Sequence, residues 1–181
     1  MLDDHGFEIY EESAFPIAYL LTFRTFGTWL HGDERGSYTR RYQQRSSKYI
    51  SPNVPLKETM ETELKQSSVI LGRRERIIVT DAIAEACKIR EYNLRAINVR
   101  SNHTHAVVSK ALKPEKIVNN FKAYATRRLR SNGCFSPNIK IWSRGASTRY
   151  LWKPRHVEAA VDYVLYSQGD IPFETVNRDA H

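Results

Sequence analysis

Leu94-Arg95-Ala96-Ile97-Asn98-Val99-Arg100 alternates apolar and polar side chains, the chain breaks at Ser101-Asn102, and a second run follows, His103-Thr104-His105-Ala106-Val107-Val108-Ser109. Period-two alternation is the mark of a half-buried strand. Two such runs across a two-residue polar break form an antiparallel hairpin. The chain must therefore build a sheet and cover at least one face of it. In a strand, positions i and i+2 share a face. His103 and His105 thus project side by side, and Thr104, Ala106 and Val108 project to the other side. Two neutral imidazoles at that spacing make half of a metal site. The competing reading is a pair of ordinary exposed strand histidines.

With 181 residues, 41% hydrophobic and 27% charged, the chain is most simply one domain with a substantial core. It has no long apolar run, so no membrane span is expected. Its acidic start (Asp3, Asp4, Glu8) does not resemble a secretory signal. Cys87 and Cys134 have no metal spacing and suit a reducing, cytoplasmic setting. The net charge of +8 is unevenly placed: residues 1–71 carry −2, and residues 72–181, which include the histidine pair, carry +10. That balance points to a polyanionic partner, most simply nucleic acid; a solvated basic surface is the plainer alternative.

Residues 1–16 read as a mobile lead-in, residues 17–170 as the single domain, and residues 171–181 as a tail. Ile17 to Phe26 is rich in β-branched and aromatic residues and predicts a first strand. Residues 33–55 form a polar insertion in which Arg40, Arg41, Arg45 and Lys48 alternate with Tyr38, Tyr42 and Tyr49, a mixture suited to single-stranded nucleic acid. A short helix is expected over Pro55–Gln66 and a longer one over Arg73–Tyr92, with Ile78, Val79, Ala82, Ile83, Ala86 and Ile89 facing the core. After the hairpin, Pro114 opens a helix that Gly133 ends. Its apolar face is Ile117, Val118, Phe121, Ala125 and Leu129, and its basic surface is Lys116, Lys122, Arg127, Arg128 and Arg130. Ile141-Trp142 and Thr148–Trp152 read as a second, shorter hairpin, and a last helix runs from Arg155 to about Gln168. This order predicts an α+β fold, a ferredoxin-like antiparallel sheet with helices on one face and a further C-terminal helix.

The histidine strand, the basic helix and the late segment Asp162-Tyr163-Val164-Leu165-Tyr166-Ser167-Gln168-Gly169 together resemble the single-tyrosine HUH transposases of the insertion-sequence-200 type. That group includes the transposase-like proteins associated with repetitive extragenic palindromes. The resemblance covers roughly Ile17 to Gln168. It implies that His103 and His105 hold a divalent ion, magnesium or manganese, and that a polar residue late in the last helix completes the site. It also implies that a tyrosine attacks hairpin-forming single-stranded DNA and that subunits pair as a homodimer. Counted back from the Gln-Gly end of the helix, the family's tyrosine falls on Tyr163 rather than Tyr166; Tyr124 is expected to pack or to touch DNA. The third ligand is assigned to Gln168, five residues after Tyr163, although the commoner spacing of four falls on Ser167. Thr104 stands where the family usually has a large hydrophobe. Phe26-Gly27-Thr28-Trp29-Leu30-His31-Gly32 also looks like the opening of a transposase subgroup and carries no assigned role.

A tyrosine can attack a phosphodiester directly and store the bond as phosphotyrosine, so the strand can later be rejoined. Lys122, Arg127 and Arg128 would hold backbone phosphates. A phosphoesterase with two separate His-x-Ser/Thr motifs is disfavoured by the presence of a single histidine pair. A domesticated protein that binds single-stranded nucleic acid without cleaving it is the main alternative, and structural zinc lacks its four usual ligands.

Overall fold

The computed structural model describes residues 14–31, 33, 34, 37, 38 and 49–167. Its elements are β1 (Ala18–Arg24), β2 (Ser37–Tyr38), β3 (Tyr49–Ile50), α1 (Val54–Thr62), α2 (Arg73–Arg90), β4 (Asn93–Val99), β5 (His103–Ser109), α3 (Pro114–Ser131), β6 (Ser147–Leu151) and α4 (Pro154–Tyr166). The main sheet is antiparallel with order β4-β5-β1-β6. β1 and β4 both flank β5, so they run parallel to each other and are joined through α2. β5 and β6 stand in the same relation on either side of β1, joined through α3. This is the ferredoxin-like α+β arrangement. Of the predicted lead-in only 14–16 are described, and the tail lies wholly outside the described residues. Within the insertion, β2 and β3 pair antiparallel, a ladder that its polar composition does not announce.

The predicted hairpin forms: Arg100 N–H donates to the His103 carbonyl at 2.7 Å around Ser101 and Asn102, and Val99 lies opposite Thr104. The predicted second hairpin does not. Ser147–Leu151 pairs with β1, and Trp142 bridges to Thr25 at the end of the same strand. Each segment is drawn to β1 by its own side chains: Ile141 and Trp142 are buried in the core, with Trp142 edge-on to Phe23 at 5.2 Å, while Leu151 is buried beneath α4 and Tyr150 lies edge-on to Tyr19 at 5.3 Å.

α2 and α3 cover the face formed by Tyr19, Leu21, Phe23, Ile97, Val99, Ala106 and Val108. The predicted apolar face of α3 is buried throughout. On α2, Val79, Ala82, Ile83 and Ala86 are buried as expected and Ile78 is partly so, but Ile89 is 58% exposed. Cys87, one turn beyond Ile83, takes the place against the core, and the helix stops at Arg90 because Glu91 turns left-handed (φ 54°). Gly133, with φ +70°, follows α3 in the conformation that glycine adopts without strain. α4 covers the opposite face, where Ala18, Ala96, Val107 and Leu151 meet Val157, Ala160 and Val164. No described helix is long and apolar enough to cross a membrane.

Candidate functional site

On the α4 side the sheet changes character along its strands. Register aligns Asn98 with His105, His105 with Thr22, and Thr22 with Ser147, a polar row across all four strands. One pleat further along, His103 lies opposite Arg24. The imidazoles of His103 and His105 sit 4.8 Å apart, nearly perpendicular at 79°. His105 is buried (6% exposed) and His103 half-buried.

Each ring is held through its Nδ1. Asn102 Oδ1 lies 2.6 Å from His103 Nδ1, and Thr22 Oγ1 lies 2.8 Å from His105 Nδ1. A proton placed on Nδ1 by such a contact leaves the Nε2 lone pair as the donor, which is how metal-binding histidines are usually oriented. Asn102 is itself clamped: its carbonyl accepts from Thr25 N–H (3.0 Å), Thr25 Oγ1 (3.1 Å) and Thr28 Oγ1 (3.3 Å).

α4 brings Tyr163 over this row. Its ring centroid is 5.6 Å from that of His105 at 75°, and the side chain is 43% exposed. Asn98 Nδ2 donates to the Val164 carbonyl at 3.0 Å inside the protein, which fixes the helix one residue beyond the tyrosine. Tyr166 is 68% exposed. Tyr124 belongs to α3, on the other side of the sheet, beneath the Arg127 guanidinium (5.0 Å). Ser167 is the C-cap of α4, its N–H donating to the Tyr163 carbonyl. Gln168 lies outside the described residues. Among the described residues no group of three His, Cys, Asp or Glu side chains is placed to hold a metal, so the donors gathered here are the two imidazoles.

The five basic residues assigned to DNA stand elsewhere. α3 packs on the face shared by Ala106 and Val108, so its solvent side points away from the histidines. Lys122 Nζ donates to the carbonyls of Ser143 (2.9 Å) and Gly145 (2.6 Å). Arg128 pairs with Glu85, and Arg130 donates to the carbonyls of Pro137 and Ile139. Lys116 and Arg127 are exposed. Lys122, Ala123, Thr126, Arg127 and Arg130 line a shallow groove of about 480 Å³. A helix that follows the histidine strand in sequence is thus separated from the imidazoles by the sheet itself.

Sequence reasoning missed Thr22, Asn98 and Asn102, the residues that orient the rings and the helix. Asn98 carried little signal, being one polar residue among several in the alternating run Leu94–Arg100; only the fold buries it, to 4% exposure.

The family model described as Transposase IS200 like matches residues 62–168. The chain belongs to this transposase family. The match takes in the histidine strand, α3, α4 and Tyr163, and it begins after β1 and the loop that follows it. Comparison with curated proteins gives no match. Among solved structures, a REP-associated tyrosine transposase bound to a REP hairpin is similar to this transposase at 12% identity, over 88% of this chain and 71% of that one, with a TM-score of 0.46. The likeness is loose, and the family assignment rests on the sequence match.

Proposed function

We propose that this transposase cleaves and rejoins single-stranded DNA through a covalent 5′-phosphotyrosine formed on Tyr163. The observation that supports this reading is the Tyr163 ring set edge-on against His105, on the face where both imidazoles are held through Nδ1. The tyrosine oxygen attacks phosphorus and its proton passes to solvent. The bond from phosphorus to the 3′ oxygen breaks, and that oxygen leaves as a hydroxyl after taking up a proton. Rejoining runs the same exchange backwards with a 3′ hydroxyl as nucleophile, so no external energy source is required.

His103 and His105 would hold a divalent ion, with Gln168 as the third protein ligand. When bound, the ion supplies Lewis-acid polarisation of a non-bridging phosphate oxygen. Two imidazoles suit manganese better than magnesium, which is small, hard and prefers oxygen ligands. Thr22 and Asn102 keep the rings aimed, and Asn98 keeps Tyr163 over them. Tyr163 and the histidines lie on one chain, which favours completion of the site in cis. Pairing into a homodimer remains a family expectation, and sedimentation at micromolar concentration checks it.

The direct test is a denaturing gel of protein, manganese and labelled single-stranded DNA, including hairpin-forming substrates. An adduct that maps to Tyr163 and vanishes in Tyr163→Phe, while Tyr166→Phe retains it, carries the proposal. An adduct that survives Tyr163→Phe rejects the assignment. DNA binding with no adduct on any substrate favours the non-catalytic reading.

A further inference from the structure

β6 is the last strand of the main sheet, with β1 as its one neighbour among the described residues. Its side chains alternate between the two faces at a border of the sheet. We propose that the Tyr150–Trp152 pair on this border is a stacking platform for the bases of single-stranded DNA, and that Arg149 holds a backbone phosphate of the same strand. The nucleotides bound here are those that flank the cleaved bond. This deepens the nuclease reading of the site and rests on it for the identity of the strand.

The platform is built from two rings held in water. Tyr150 is 48% exposed and Trp152 46%. Single exposed apolar side chains are ordinary, but these two adjoin. Their rings are nearly parallel, at 12° with centroids 6.4 Å apart. The buried Tyr19 meets Tyr150 edge-on at 5.3 Å, which supports the pair from the core side. Leu151, between the two rings in sequence, is buried beneath α4 and ties the segment to the other face. Every base has a flat π face, so rigid rings of this kind accept bases without selecting among them.

Charge decides between an apolar partner and a nucleic acid. Arg149 is exposed, and its side chain has no ion pair or hydrogen-bond partner among the described residues. The same holds for Arg155, in the first turn of α4. A cation there opposes the helix dipole, and no acidic residue of that turn offsets it. Two rings flanked by two such guanidinium groups suit a polyanion that carries flat rings of its own.

Strand alternation links the platform to the site. Arg149 projects to the same face as Ser147, the β6 end of the polar row that contains Thr22 and His105. Ser147 to Trp152 spans about 17 Å of extended chain, which a few nucleotides bridge. A DNA strand stacked on Tyr150 and Trp152 would thus cross the sheet border at Arg149 and enter the row beneath Tyr163.

The test uses the full chain in a Tyr163→Phe background, with a fluorescein-labelled thymidine 20-mer and an abasic 20-mer of the same backbone. Trp152→Leu keeps an apolar side chain and removes the ring. It should weaken binding to the thymidine strand about tenfold, leave the abasic strand unaffected, and keep the salt slope on both. Trp152→Phe should recover most of the loss. Arg149→Gln should lower the salt slope by about one on both strands, because a phosphate contact needs no base.

A loss in Trp152→Leu that is equal on both strands, or absent from both, overturns the platform. An unchanged slope in Arg149→Gln overturns the phosphate contact. Sedimentation that turns a dimer into a monomer in Trp152→Leu, with DNA binding intact, would make the pair a contact between copies of the chain and also overturns the platform. The adduct assay on the wild-type chain separates these outcomes from the chemistry. A base-dependent loss in Trp152→Leu with no wild-type adduct on any substrate keeps the platform and rejects the nuclease. A wild-type adduct with no base-dependent loss rejects the platform and keeps the nuclease.

Discussion

The two faces of the sheet are built from alternate residues of the same strands, yet they differ in kind. Among the described residues, 22 buried side chains form one continuous core between the sheet and α2 and α3, whereas seven lie between the sheet and α4, the four from strands all toward one end of them. The other end of the α4 face is given over to Asn98, His105, Thr22, His103 and Arg24. A side-chain period of two lets β1 stabilise the protein with Tyr19, Leu21 and Phe23 and hold the His105 ring with Thr22. A register slip of one residue would exchange the two sets, so the large core on one side also fixes the site on the other.

If the division holds, a change on the site face should remove chemistry and spare stability. Tyr163→Phe keeps a half-exposed ring and should lower adduct formation by roughly 10⁴-fold or more, as loss of a nucleophile does. Its urea midpoint should match the wild type; a shifted midpoint would blur the comparison. On the opposite face, Phe121→Ala empties a fully buried position and should cost about 3–5 kcal/mol in denaturant unfolding. Under conditions where that variant remains folded, manganese affinity should be retained.

Asn98→Ala falls between the two regions. It leaves the buried Val164 carbonyl without its donor, a loss of about 1–3 kcal/mol, and should slow adduct formation through misplacement of Tyr163. Thr104 sharpens the contrast from beneath the histidines. Its Oγ1 is buried and has no hydrogen-bond partner among the described residues. Thr104→Val should therefore raise stability, by about 1 kcal/mol, with the imidazoles undisturbed.

The smallest effect concerns Cys87. Burial against the core pushes its thiol up to about 12. An unfolded thiol ionises near about 8.5, so the associated stability is complete below that pH and is lost as pH rises toward the folded value. Cys87 should resist alkylation at pH 8 while the half-buried Cys134 reacts, which mass spectrometry of labelled peptides checks.

What sequence reasoning could read was local. The hairpin, the shared face of the histidines and the buried side of α3 follow from periodicities within a few turns or pleats. The pairing of β6 with β1 joins residues more than a hundred positions apart, and no short-range pattern records a choice between Trp142 and β1 as its partner. The layer that α3 occupies depends on the hand of the crossover from β5 to β6. For that reason a basic surface that follows the histidines in sequence could be assigned to their neighbourhood and yet lie across the sheet. Thr22 became part of the site only through the strand order, which sets β1 beside β5.

The tight turn at Ser101-Asn102 has a consequence for how a metal ion would act on folding. An ion that binds the folded state alone adds about 2.7 kcal/mol at a hundred times its dissociation constant. His103, His105 and Asn102 are sequence neighbours, however, and an extended unfolded chain also presents i and i+2 side chains together. The denatured ensemble would thus keep part of the ion's binding site, and mass action would return part of the gain. Manganese should raise the melting temperature by less than its calorimetric affinity demands. A full-sized shift would mean that the affinity comes from residues assembled only in the folded protein.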